Sequence, residues 1–103
     1  MNSVNLVGRL GDDPEIRYTQ DGKAIATFSL AVSRGRDETD WVDVTCWEQQ
    51  AETVSQYVRK GHLVAVSGRL RQEKWETDAG EKRSKLGVVA QRVDFLTPKD
   101  AAV

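Results

Sequence analysis

The chain has 103 residues, 39% of them hydrophobic and 30% charged, with a formal net charge of −1; this length supports one core and a single domain, and the near-neutral charge argues against indiscriminate polyanion binding. Its single cysteine cannot form an internal disulfide, and one histidine with one cysteine cannot make a zinc site by themselves. No apolar run approaches the length needed to cross a membrane, and "MNSVNLVGRL" lacks a basic segment followed by a long apolar one, so a cytoplasmic protein is expected.

In chain order, "VNLVGRL" from Val4 reads as a strand that "GDDP" breaks before a short extended piece, "EIRYT". The turn "QDGK" at residues 20–23 is a hairpin signal, because Asp-Gly suits the positive φ of a tight turn. A long strand follows, "KAIATFSLAVS", with Ala24, Ala26, Phe28, Leu30 and Val32 on its apolar face. After the charged loop "RGRDETD" comes "WVDVTCW". Period-two alternation puts Val42, Val44 and Cys46 on one side and Trp41, Asp43, Thr45 and Trp47 on the other. The apolar trio suits a core, with Cys46 as a small core residue, and the tryptophans then face something else.

Residues 48–60 change period. Ala51, Val54, Tyr57 and Val58 recur at helical spacing, and Gly61 after Arg59 and Lys60 suits a helix C-terminus. "HLVAVSGRLRQEKW" returns to strand, with Val64, Val66 and Leu70 expected inward and Gly68 marking a bulge or bend. "ETDAGEKRS" is a polar hairpin tip and "KLGVVAQRVDFL" closes the sheet; a domain over residues 1–98 and a short disordered tail at 99–103 are expected. The fold class is all-β: five strands with one helix between the third and fourth is the order of an OB-fold, a partly open Greek-key barrel that binds oligonucleotides or oligosaccharides. Other small five-stranded barrels share this pattern, and fold alone does not fix function.

The chemistry lies in aromatic and basic residues together. Trp41 and Trp47 share the outward parity of the third strand, and Trp75 shares that of Arg69 and Arg71 in the fourth. Such a face offers flat surfaces for unpaired bases and cations for phosphates. The other basic clusters are Arg34 with Arg36, Arg59 with Lys60, Lys74, and Lys82 with Arg83 and Lys85, whereas acidic residues concentrate at 12–15, 37–43 and 48–52. Net neutrality can therefore hide a basic groove. Any single tryptophan could equally be a packing residue, and "EKRSK" alone could be a solvated loop. No nucleophile–base pair, phosphate-cradling glycine loop, calcium loop or metal cluster is present in the sequence, so neither catalysis nor a cofactor is expected.

From residue 2 to about 97 the chain resembles the bacterial single-stranded DNA-binding protein family, most specifically in "LVGRLGDDPEIRY", "YVRKG" and "VSGRLRQEKW". The resemblance implies that Trp41, Trp47 and Trp75 stack on bases, that Lys60, Arg71 and Lys74 contact the strand, and that the protein forms an oligomer, commonly a homotetramer, with the first strand at a dimer interface. It implies single-stranded DNA as partner, a nucleoid-associated protein, and a role in DNA replication, recombination and repair. Alternatives are a primosome-type or RNA-binding OB protein, or a structural oligomeric adaptor whose tryptophans fill protein interfaces. Three departures stand out. The loop "SRGRDETDW" lacks an aromatic that some members carry, and Asp43 stands where some have a basic residue. The sequence also ends at "KDAAV" without the acidic tip that recruits replication and repair enzymes in the family, which leaves partner proteins open.

Overall fold

The computed structural model describes residues 1–97; the tail expected at 99–103 lies outside the described residues. Strands β1 (Val4–Leu10), β2 (Glu15–Tyr18), β3 (Ala24–Ser33) and β4 (Thr39–Trp47) are followed by helix α1 (Glu48–Tyr57), β5 (Leu63–Glu76) and β6 (Lys82–Phe95). The strands lie in the order β1-β5-β6-β4-β3-β2, and an additional β1–β3 pairing at Arg9 and Leu10 closes the sheet into a barrel. All pairings are antiparallel except β4–β6, where Val44 and Thr45 lie beside Val88 and Val89. The barrel is the expected OB-fold; no helix among the described residues is long and apolar enough to cross a membrane.

There are six strands where five were expected, because the short piece "EIRY" forms a strand of its own. Gly22, at φ +83°, lets the chain turn back through Thr19 N–H to Lys23 O and Gly22 N–H to Thr19 O. That hairpin lays β2 along β3, Glu15 beside Thr27 and Arg17 beside Ile25.

The core follows the alternation. Leu30, Val44, Cys46, Val64, Val66 and Val88 point inward and are fully buried, and α1 brings Ala51 and Val54 onto them. Leu70 shares the inward parity of Val64 and Val66 but is 44% exposed. The reason is length: β5 and β6 have 14 residues each, the pairing of β5 with β1 ends at Gly68 and that of β6 with β4 at Val88, and from there the two strands run out as a two-stranded arm with exposed side chains along β5. Asn2 ties the root of this arm, donating from Nδ2 to Leu70 O at 2.9 Å and accepting Leu70 N–H at 2.8 Å.

The bulge expected at Gly68 lies on the opposite strand. Ser67 pairs with Arg92 and Gly68 with Ala90, so Gln91 of β6 is the extra residue, and β5 keeps its alternation. Glycine is required at 68 for a different reason, since a Cβ there would collide with the carbonyl of Val89. The helix also ends three residues before the expected stop. Val58 turns extended and is buried, while its N–H still bonds Val54 O at 2.9 Å. Side chains then finish the end: Arg59 Nη1 donates to Ser55 O and Val58 O, His62 Nδ1 accepts the Arg59 N–H, and Asp13 Oδ1 accepts the Lys60 N–H. Gly61, at φ +86°, serves the turn beyond, not the helix cap.

Candidate nucleic-acid interface

The register of the strands assembles one outward face across most of the sheet. Arg17, Ile25 and Trp47 form a row over β2, β3 and β4; Glu15, Thr27, Thr45, Val89 and Arg69 form the next, crossing all five strands from β2 to β5. Beyond it lie Ser29 beside Asp43 and Arg71 beside Gly87, then Ala31 beside Trp41 and Glu73 beside Lys85, and out on the arm Trp75 beside Arg83. Residues paired across strands share a face, so the three tryptophans, Arg69 and Arg71 are on the same surface.

A cleft of about 710 Å³ runs over the middle of this face. Trp47, Arg71, Lys74 and Lys85 line it, as do Phe28 from the core and Arg17 from β2. Gly87 leaves its centre open: an added Cβ would lie 3.1 Å from the carbonyl oxygen of Asp43. Trp41 stands outside the cleft and is 62% exposed, its ring edge set against Gly11, where a Cβ would lie 2.5 Å from the ring. Trp75 is also outside the cleft and is 47% exposed on the arm. Trp47 is only half-buried although it immediately precedes Glu48, whose φ of +57° redirects the chain into α1.

The basic residues divide into two sets. Arg34 is held by Glu38 of the β3–β4 loop at 3.0 Å and by Asp40 at the start of β4 at 3.3 Å, Arg83 by Glu81 at 2.7 Å, and Lys85 by Asp43 at 3.1 Å. Arg36, Lys60, Arg69, Arg71, Lys74 and Lys82 carry no ion pair among the described residues. Lys74 and Lys82 lie on the alternate parity of the arm, beside Ser84 and Glu76, and of these two only Lys74 lines the cleft. Lys60 sits at the turn after α1, its backbone fixed to Asp13 on the cleft rim.

The cleft is not the purely basic groove that the charge distribution suggested. Asp12, Asp13, Glu15, Asp43 and Glu73 line it beside Arg17, Arg71, Lys74 and Lys85. The acidic segment at 12–15 enters because the β1–β2 turn and β2 fold onto the tryptophan face. Arg17 was not singled out from sequence, whereas Phe28 is the core residue that alternation predicts, reaching the cleft from the inner face. Strict alternation within "EIRY", read as a strand paired to "KAIATF", would have placed Arg17 on this face. Cys46 takes no part: it is fully buried, and burial pushes its thiol up to about 12.

A sheet face with a cleft at its middle lined by Trp47, exposed tryptophans outside that cleft, and cations such as Arg71 and Lys74 that carry no ion pair among the described residues suits a flexible polyanion whose flat groups are free to stack. The family model described as the single-strand binding protein family matches residues 1–96. The chain belongs to that family. It is 43% identical to single-stranded DNA-binding protein A of Bacillus subtilis (strain 168), over 97% of this chain and 62% of that protein. It is 42% identical to single-stranded DNA-binding protein 2 of Listeria monocytogenes serovar 1/2a, over 97% and 66%, and 45% identical to the single-stranded DNA-binding protein of Treponema pallidum, over 93% and 58%. The chain thus spans somewhat under two thirds of the length of these relatives.

Proposed function

We propose that this family member binds single-stranded DNA without catalysis and largely independently of sequence, protecting it and keeping it open during replication, recombination and repair. The observation that carries this reading is the placing of Trp41, Trp47 and Trp75 with Arg69 and Arg71 on one outward sheet face. Bases stack on the indoles because every base has a flat face, and phosphates follow Arg69, Arg71, Lys74 and Lys60; Arg36 and Lys82 extend the field beyond the cleft. The relatives' names, each a single-stranded DNA-binding protein, support the same reading, which includes a workplace in the cytoplasm at the nucleoid.

The reading includes a homo-oligomer, dimer or tetramer. Strand β1 pairs with β3 only at Arg9 and Leu10, so one edge of its earlier residues is open, and Val7 is exposed beside it. An open edge with an apolar side chain is stabilised by pairing across a dyad. Light scattering at micromolar concentration should report a multiple of the chain mass, and a clean monomer rejects the assembly.

Titration with oligothymidine, with oligouridine of the same length and with a duplex tests the function. Oligothymidine should bind more tightly than the duplex, with log K falling against log salt by about 0.7 per phosphate neutralised. Tighter binding of oligouridine would favour an RNA-binding protein, and no binding to either strand would leave the tryptophans as protein-contact residues.

A further inference from the structure

We propose that Asp43 limits the affinity of this face for single-stranded DNA by holding Lys85 out of phosphate contact, an inference that rests on the DNA-binding reading above. Asp43 lies midway along β4, between Trp41 and Trp47 and on their face. Both carboxylate oxygens are engaged: Oδ1 accepts the Ser29 hydroxyl at 3.4 Å, and Oδ2 accepts Lys85 Nζ at 3.1 Å. Ser29 is the residue beside Asp43 on β3 and makes a long contact with Oδ1, while the shorter contact of Oδ2 turns to Lys85 from β6. Gly87, with no side chain, puts nothing between the carboxylate and the lysine.

Asp43 and Lys85 both line the cleft, in rows that lie between those of Trp47 and Trp75. The pair's members are 48% and 52% exposed, so a phosphate can reach them. Lys85 also faces Glu73 directly across the arm, though only Asp43 is within ion-pair distance. Arg71, one row closer to the barrel and beside Gly87, has no such partner among the described residues. A phosphate therefore finds Arg71 ready, whereas at Lys85 it must displace a carboxylate already in place. The cleft releases fewer counterions than its lysines and arginines would suggest, and binding is weaker and less salt-dependent as a result.

Three variants test this by oligothymidine titration over a salt series. Asp43→Asn keeps the shape and the Ser29 contact but removes the charge. At low salt its affinity should rise about two- to fivefold, the scale of an exposed charge pair, and its log K against log salt slope should steepen by about 0.7, one more phosphate. Adding Lys85→Gln to Asp43→Asn should return the slope to the wild-type value. Lys85→Gln alone should weaken binding and leave the slope unchanged, because in the wild type Lys85 neutralises no phosphate. Two results would overturn the proposal while the wild type binds normally: an unchanged slope in Asp43→Asn, or a shallower slope in Lys85→Gln alone. Failure of the wild type to bind oligothymidine overturns the DNA-binding reading itself, and the proposal with it.

Discussion

Along β4 the inner side chains Val44 and Cys46 have no exposed surface, while Trp41 on the outer face is 62% exposed with Asp43 and Trp47 in line with it. One strand thus carries two surfaces made under different constraints. The inner face is a close-packed core in which a missing methyl group is felt. The outer face keeps large aromatic area in solvent, which hydrophobic burial alone would not leave there, and sets charged groups between the rings. If the outer face binds the strand as proposed, stability and ligand binding fall to alternate residues, and substitutions on the two faces should separate wherever the outer residue is exposed.

The largest effect belongs to the core. Leu30→Ala, at a position with no exposed surface, should lose about 2 to 5 kcal/mol of stability, read as a shift of the urea midpoint, with the folded fraction binding oligothymidine like wild type. Loss of binding at unchanged stability would erase the division between faces. Trp75→Ala should show the reverse: about 1 to 3 kcal/mol of affinity lost, with the unfolding midpoint almost unmoved. Trp41→Ala should behave in the same way. Trp47 stands between the two classes, because it is half-buried beside Ile25 and its replacement by alanine should cost both stability and affinity.

Next comes an effect confined to the inner face and read by pH. The Cys46 thiol ionises near 9.0 when unfolded and only near 12 when folded, so above the lower value the folded state holds the extra proton. Stability then falls as pH rises past that point, by about 1.4 kcal/mol one unit above it. Comparing the alkaline unfolding midpoints of wild type and Cys46→Ala isolates this effect; equal slopes for the two would mean the thiol is not shielded. The smallest effect is at Arg34, already held by Glu38 and Asp40. Arg34→Ala should change oligothymidine affinity by less than about 0.5 kcal/mol, whereas Arg71→Ala should make the salt slope shallower by about 0.7. Equal losses at the two positions would show that ion pairing within the protein does not sort the cations.

What was legible in the sequence was what depends on period alone. The parity of "WVDVTCW" and of "KAIATFSLAVS" is local, and both faces came out as expected. What was not legible depends on a partner. The bulge opposite Gly68 belongs to Gln91 on another strand, so a glycine on β5 could not locate it. The helix end is set by the burial of Val58 and by Asp13, far away in the chain. Leu70 is exposed because the arm outruns the barrel, a matter of strand length against depth that alternation does not encode. The acidic side of the cleft arises because the β2 hairpin folds over, which no charge count along the chain displays.

The outward tryptophans are proposed as the surface on which bases stack, and intrinsic tryptophan emission during titration with oligothymidine is the sharpest test of that role. Emission should be quenched saturably, with an end point that matches binding measured by light scattering, and Trp75→Ala should remove part of the quench together with part of the affinity. Tight, stoichiometric binding that leaves the emission unchanged would put the strand on another part of the molecule and contradict the account.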